Sequence, residues 1–178
     1  MKKTITLIVL AAVVAITGLS FGPTVNAVST VTAARCTVAE ARLDTRITKV
    51  STATAAQTAA YTKVKTSVES LVTSAKSAGY DITAMSAAST ALDTKVTAYT
   101  TAAATYSADL AATKNLSCGD SDGAFTTSLT TARADLVAVR TATTAVRTTV
   151  KDTVIPALNG YVAWLKTQPA ATTTGGTK

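Results

Sequence analysis

LDTRITKVSTATAAQTAAYTKVKTSVESLVTSA, residues 43–75, decides the fold. Leu43, Ile47, Val50, Thr54, Gln57, Tyr61, Val64, Val68, Leu71 and Ala75 recur at alternating steps of four and three. That spacing places them on one stripe of a helix, a heptad seam. The same arithmetic runs through Ile82, Met85, Ser89, Leu92, Val96, Tyr99, Ala103, Tyr106 and Leu110, and again through Phe125, Leu129, Ala132, Leu136, Val139, Thr143, Val146 and Val150. Three long helices follow, over about 30–78, 82–114 and 122–166.

The joints between them have turn chemistry. In Gly79-Tyr80-Asp81 the glycine suits a helix C-terminus and the aspartate the next N-cap. The segment 115–122, with Cys118-Gly119-Asp120-Ser121-Asp122-Gly123 across its end, separates the second helix from the third. Short connections make neighbours antiparallel. The expected fold is therefore all-α, an elongated antiparallel three-helix bundle spanning residues 28–166. Pro156 lacks an N–H and crowds the preceding turn, which predicts a kink or break at 153–155, with helix resuming over 157–166 and Tyr161 and Trp164 as the last apolar anchors. The tail 167–178 reads as disordered.

Residues 1–27 follow the plan of a secretory signal peptide. Lys2 and Lys3 precede an uncharged apolar run from Ile5 to Leu19, Gly22-Pro23 breaks it, and Val25-Asn26-Ala27 offers a cleavage site after Ala27. The competing reading is an uncleaved membrane anchor, for which the run is only just too short. With cleavage, contact with the membrane is confined to the signal segment before its removal, and the protein is exported. Loss of the two lysines takes the formal charge from +7 to +5. That excess attracts anionic envelope polymers or headgroups weakly and is no nucleic-acid signature.

Export decides how the two cysteines are read. Cys36 and Cys118 predict one intramolecular disulfide in an oxidising compartment. An intermolecular bridge is one alternative; a metal site is another, which two thiols in a chain without histidine can hardly complete. The antiparallel register supports the bridge. Folding about Gly79 sets Thr113 beside roughly Ile47, and about five non-helical residues at ~3.3 Å each cover the remaining ~16 Å back to Cys36.

Four stretches carry a family resemblance: Cys36 through Ala41-Arg42-Leu43-Asp44-Thr45-Arg46-Ile47, the turn Gly79-Tyr80-Asp81, Cys118 through Phe125, and Ala132-Arg133 through Asp135-Leu136 to Val139-Arg140. Over about residues 36–158 the chain resembles an uncharacterised family of small exported helical proteins of reduced-genome bacteria. The resemblance implies a disulfide-linked helical bundle and supplies no activity. The chain differs from that family in carrying Thr, Ser and Ala in place of many Lys, Glu and Gln, and Ile155 where a basic residue is expected.

Composition removes most chemistry. There is no histidine, and 36 alanines with 38 threonines make up 74 of 178 positions. General acid–base work would fall to ten acids scattered along helices, with no nucleophile–base pair and no metal set, so no enzyme, cofactor or metal is expected. Asp120-Ser121-Asp122-Gly123 has the look of a calcium loop but lacks a third acid and the distal glutamate, and capping of the third helix by Ser121 or Asp122 accounts for it better. Thr83, Thr94 and Thr105 show the eleven-residue spacing of an ice-matching helix, yet threonine pairs at that spacing are no commoner than chance. O-glycosylation is permitted by the sequence; threonine as a neutral polar coat explains the pattern as well.

The remaining candidate is Arg133, Arg140 and Arg147, seven residues apart along the third helix. Such a stripe contacts an anionic envelope polymer, or else flanks the seam and pairs with acids of neighbouring helices. The expected function is a structural or adhesive cell-envelope protein acting through helical surfaces, on an envelope polymer, another envelope protein or copies of itself. The alternative is a periplasmic-type chaperone for unfolded clients, which needs a contiguous apolar patch.

Overall fold

The computed structural model describes residues 33–119 and 123–168. The expected signal peptide, the expected caps Ser121 and Asp122, and the chain from 169 onward lie outside them. Every element among the described residues is helical: α1 (Ala33–Ser77), α2 (Thr83–Lys114), α3 (Ala124–Thr149), a π-helical turn (Val150–Val154) and α4 (Ile155–Thr167).

The three seams pack into one main core, and Ala75 and Met85 join Tyr161 in a smaller cluster at the end of the first turn. Val68, Leu92, Tyr99 and Val146 are the main core's most deeply buried large side chains, and every seam position is buried or half-buried. The seam looks weakest at Thr54 and Gln57, and there the structure places a polar layer instead. Gln57 Nε2 donates to Tyr61 Oη (2.5 Å) and to Thr143 Oγ1 (3.4 Å). Tyr61 meets the fully buried Tyr99 edge-on at 5.0 Å. These partners satisfy a buried amide that would otherwise cost one or more kcal/mol, so the layer ties α1 to α3. Burial also pushes the Tyr99 hydroxyl's pKa up, to about 12.

Both predicted joint residues at the first turn do their work. Gly79 takes φ +82°, its N–H donates to Lys76 O and the Tyr80 N–H donates to Ala75 O, a Schellman ending that only glycine enters without strain. Asp81 then accepts from the Thr83 hydroxyl (2.7 Å) and the Thr83 N–H (2.9 Å), which hold its carboxyl below the usual pKa. Tyr80 closes this end of the bundle against Tyr161 and Trp164. The other end is closed by Cys36–Cys118, disulfide-bonded with Cα atoms 5.2 Å apart. Lys114 pairs with Asp44 (2.8 Å) and Lys65 with Asp93 (2.6 Å), so the antiparallel register lies within about two residues of the expected one.

Two expectations need correction. The third helix begins at Ala124, not 122, and Gly123 occupies the cap position at φ +81°. A left-handed residue there turns the chain sharply into α3, and an acidic, glycine-bearing loop reads alike whether aspartate or glycine makes that turn. At Pro156 there is no break. The chain stays helical because one wide turn, Val150–Val154, opens the backbone ladder just before the proline, where the missing N–H would have been needed. That turn takes up an extra residue in the heptad, so Val154 and Tyr161 still face the core. Helix then runs through Thr167, one residue into the expected tail.

The threonine coat bonds to its own helices. Thr48, Thr52, Thr94 and Thr130, among others, donate their hydroxyls to the carbonyl four residues back. Such bonds satisfy the hydroxyl without bracing the fold. Replacing exposed Thr94 and Thr130 together by alanine is therefore expected to stabilise the bundle by about 0.5–1 kcal/mol in urea titration, the gain in helix propensity.

Candidate functional site

Each pair of helices meets along an edge, and the three edges differ in charge. Asp44 and Lys65 directly follow the seam residues Leu43 and Val64, and both reach α2, so that flank of α1 forms the α1/α2 edge. On α3, Asp135 directly precedes the seam residue Leu136 and meets Asp109 of α2. Ser128 directly precedes Leu129 and shares a 2.6 Å hydroxyl bond with Thr113 of α2. That flank therefore forms the α2/α3 edge. The opposite flank of α3, just after Ala132, Val139 and Val146, holds Arg133, Arg140 and Arg147. It faces α1. The predicted stripe thus lies along the α1/α3 edge, with Arg133 and Arg140 exposed and Arg147 half-buried.

What the sequence reading missed is the other side of this edge. The α1 flank turned from α2 carries Arg46, just before Ile47, then Ala53 and Ala60 at the same heptad position. Arg42 and Lys49, within a turn of Arg46, and Arg35 and Lys63 continue that row outward, all exposed. Five of the chain's six arginines, Arg42, Arg46, Arg133, Arg140 and Arg147, therefore converge on one edge, and Arg35 continues the α1 row past the start of α3. Arg46 is half-buried and donates through Nε to Tyr106 Oη (3.2 Å), which reaches it across the core from α2. The backbones of α1 and α3 approach each other less closely than either approaches α2, so this edge is a shallow groove.

The acids lie elsewhere. Among the described residues Asp44 and Asp93 hold the α1/α2 edge, Glu69 pairs with Lys65 (3.8 Å), and Glu40 Oε1 accepts from the Cys118 N–H (3.3 Å). The ion pairs across helices in the α1/α2 edge are made by lysines, through Asp93 and Asp44.

Asp109 and Asp135 form a carboxyl pair across the α2/α3 edge. The Asp109 carboxyl, a partner for the protonated form of Asp135, raises the Asp135 pKa together with desolvation, and Asp135 Oδ2 is covered from solvent with no other hydrogen-bond partner among the described residues. A raised folded pKa means that the pair's stabilising contribution is complete below the unfolded value of about 3.9 and is lost as pH rises through the folded one. Asp135→Asn keeps a donor in place of the shared proton. It is expected to melt higher than wild type at pH 7, with the difference shrinking as pH falls toward 4 in circular-dichroism melts.

Among the described residues no group of three or more His, Cys, Asp or Glu is placed to hold a metal, and no helix is long and apolar enough to cross a membrane. No family model, no curated protein and no solved structure matches this chain.

Proposed function

We propose that this protein is an exported, non-enzymatic component of the cell envelope that binds anionic envelope material through the arginine-lined α1/α3 edge. The observation that carries the proposal is the segregation of charge. Arginine offers a planar fork of donors suited to phosphate and carboxylate, and it is the residue gathered on this edge, whereas lysine makes the ion pairs across the α1/α2 edge. A disulfide-clamped bundle supplies a stiff support for such a surface, and the same bridge fits an oxidising compartment outside the cytoplasm.

The chaperone reading receives less support. Among the described residues the exposed large apolar side chains are Val38, Val137, Val162 and Leu165, and they lie near the disulfide end, midway along α3 and on α4. Spread in this way they make no contiguous apolar patch of several hundred Å².

The test is co-sedimentation of the mature protein with isolated envelopes at low salt. Wild type is expected in the pellet, and Arg133→Gln, Arg140→Gln and Arg147→Gln combined should leave at least tenfold less there. Equal pelleting of both proteins would remove the proposal.

A further inference from the structure

The α1/α3 groove has a geometry more specific than a basic patch, and we infer that it is a site for one unbranched polyanion lying lengthwise, with about one oxyanion per 6 Å of chain. This rests on the envelope-binding reading and adds a second rail of contacts and a ligand shape.

The register follows from the Gln57–Thr143 hydrogen bond, which sets each α1 residue beside the α3 residue 86 positions later. Arg42 and Lys49 then sit level with residues 128 and 135, and Lys63 with 149. They form one rail on α1. Arg133, Arg140 and Arg147 form the facing rail on α3. Within each rail the spacing is a multiple of seven residues, about 10.5 Å of helix per heptad, and the two rails together place cations at levels 128, 133, 135, 140, 147 and 149. From the level of 128 to that of 149, six cations span ~32 Å in five steps, ~6 Å on average. A double-stranded nucleic acid, with a charge every ~1.7 Å, is far denser than this ladder.

Between the rails the floor is small and fixed. Ala53 and Ala60 leave room for a chain to lie low, and Arg46 is anchored to Tyr106 Oη at the end nearer the disulfide. Among the described residues no carboxylate occupies either rail or the floor between them. The disulfide at one end and the Tyr80–Tyr161–Trp164 cluster at the other hold the rails in register. The shared ligand chemistry is a repeating oxyanion on a linear backbone, as phosphodiester-linked polyols and polyuronates both provide.

The test is calorimetric titration of the mature protein with poly(glycerol phosphate) of ten units, the same polymer of three units, and polygalacturonate of ten units as the carboxylate arm. The ten-unit phosphate or carboxylate chain is expected to bind, whichever is preferred naming the source of the ligand, and the three-unit chain to bind at least tenfold more weakly. Six contacts predict a slope of log K against log salt of about −4, by analogy with single-stranded polyanions. Arg42→Gln, Lys49→Gln and Lys63→Gln combined should cost at least tenfold and bring the slope to about −2. Lys76→Gln, Lys95→Gln and Lys166→Gln remove the same charge from exposed sites off the groove and should change affinity less than about twofold. All variants are first shown to melt as wild type does.

Three results would overturn the groove. One is undiminished binding by the α1-rail variant; if envelope pelleting still fails in the α3 variant, the broader reading survives. A second is equal loss in the off-groove variant, which would reduce the site to net charge. The third is the absence of binding to either ten-unit polymer.

Discussion

Reduction of the Cys36–Cys118 bridge is expected to lower the melting temperature by roughly 10–20 °C. The bridge closes a loop of 82 residues, and the chain-entropy relation gives about 4.5 kcal/mol for a loop of that size. One kcal/mol shifts the melting point of a domain of this length by roughly 2–4 °C. The bundle has little in reserve, because alanine and threonine occupy so many helical positions that burial per residue is small and threonine costs helix propensity. Position adds to the effect. The bridge joins the first turn of α1 to the loop after α2, and Glu40, a turn beyond Cys36, receives the Cys118 N–H. Without it, α1 should fray from its N-terminus toward Leu43. Differential scanning calorimetry with and without reductant reads the effect directly, and Cys36→Ser with Cys118→Ser should match the reduced protein. A shift of one or two degrees would show that the helical seams alone carry the fold.

The second large effect is expected at Leu92. It is 1% exposed at the middle of the α2 seam, in a core whose other members are mostly valine and alanine. Leu92→Ala should cost about 3 kcal/mol in urea titration, within the usual range of 2–5 for buried leucine. Three long helices braced by a disulfide cannot easily close around the lost volume. A cost below about 1 kcal/mol would mean that the core collapses freely and is packed more loosely than the burial of Leu92 and its neighbours shows. The contrast with Thr94 and Thr130 is informative, since truncation to alanine is destabilising on the seam and stabilising on the coat.

The seams, both ends of the first turn, the disulfide pairing and the antiparallel register were all legible from spacing and turn residues. Heptad position is a one-dimensional property, so sequence carries it well. The start of α3 was read two residues early, because the loop before it is rich in turn residues and only the backbone shows Gly123 at the cap position. At Pro156 the missing donor was foreseen, but a break and a π-turn answer the same need, and the choice depends on whether Val154 and Tyr161 must still reach the core. The site was half legible. Arg133, Arg140 and Arg147 stood out by their repeat, whereas Arg42 and Arg46 occupy two different heptad positions and join them only once α2 is known to cover the opposite flank of α1. A signal was available in retrospect. Asp44 and Lys65 sit on one flank of the first seam and Arg46 on the other, and Lys114 and Asp93 carry the complementary charges at the antiparallel register. The Asp109–Asp135 pair needs the same register for α2 and α3, which no disulfide reports.

Side-chain NMR of arginine, using the Nε–Hε signals of 15N-labelled mature protein titrated with ten-unit poly(glycerol phosphate) or polygalacturonate, tests the proposed binding face most directly. Five of the six arginines, all but Arg35, lie on that edge, so their signals should shift together and saturate at one polymer chain per protein. The side-chain ammonium signals of Lys65 and Lys114, held by Asp93 and Asp44 on the α1/α2 edge, should stay in place. Shifts at those lysines equal to those of the arginines, or polymer binding that leaves the arginine signals unmoved, would contradict the account.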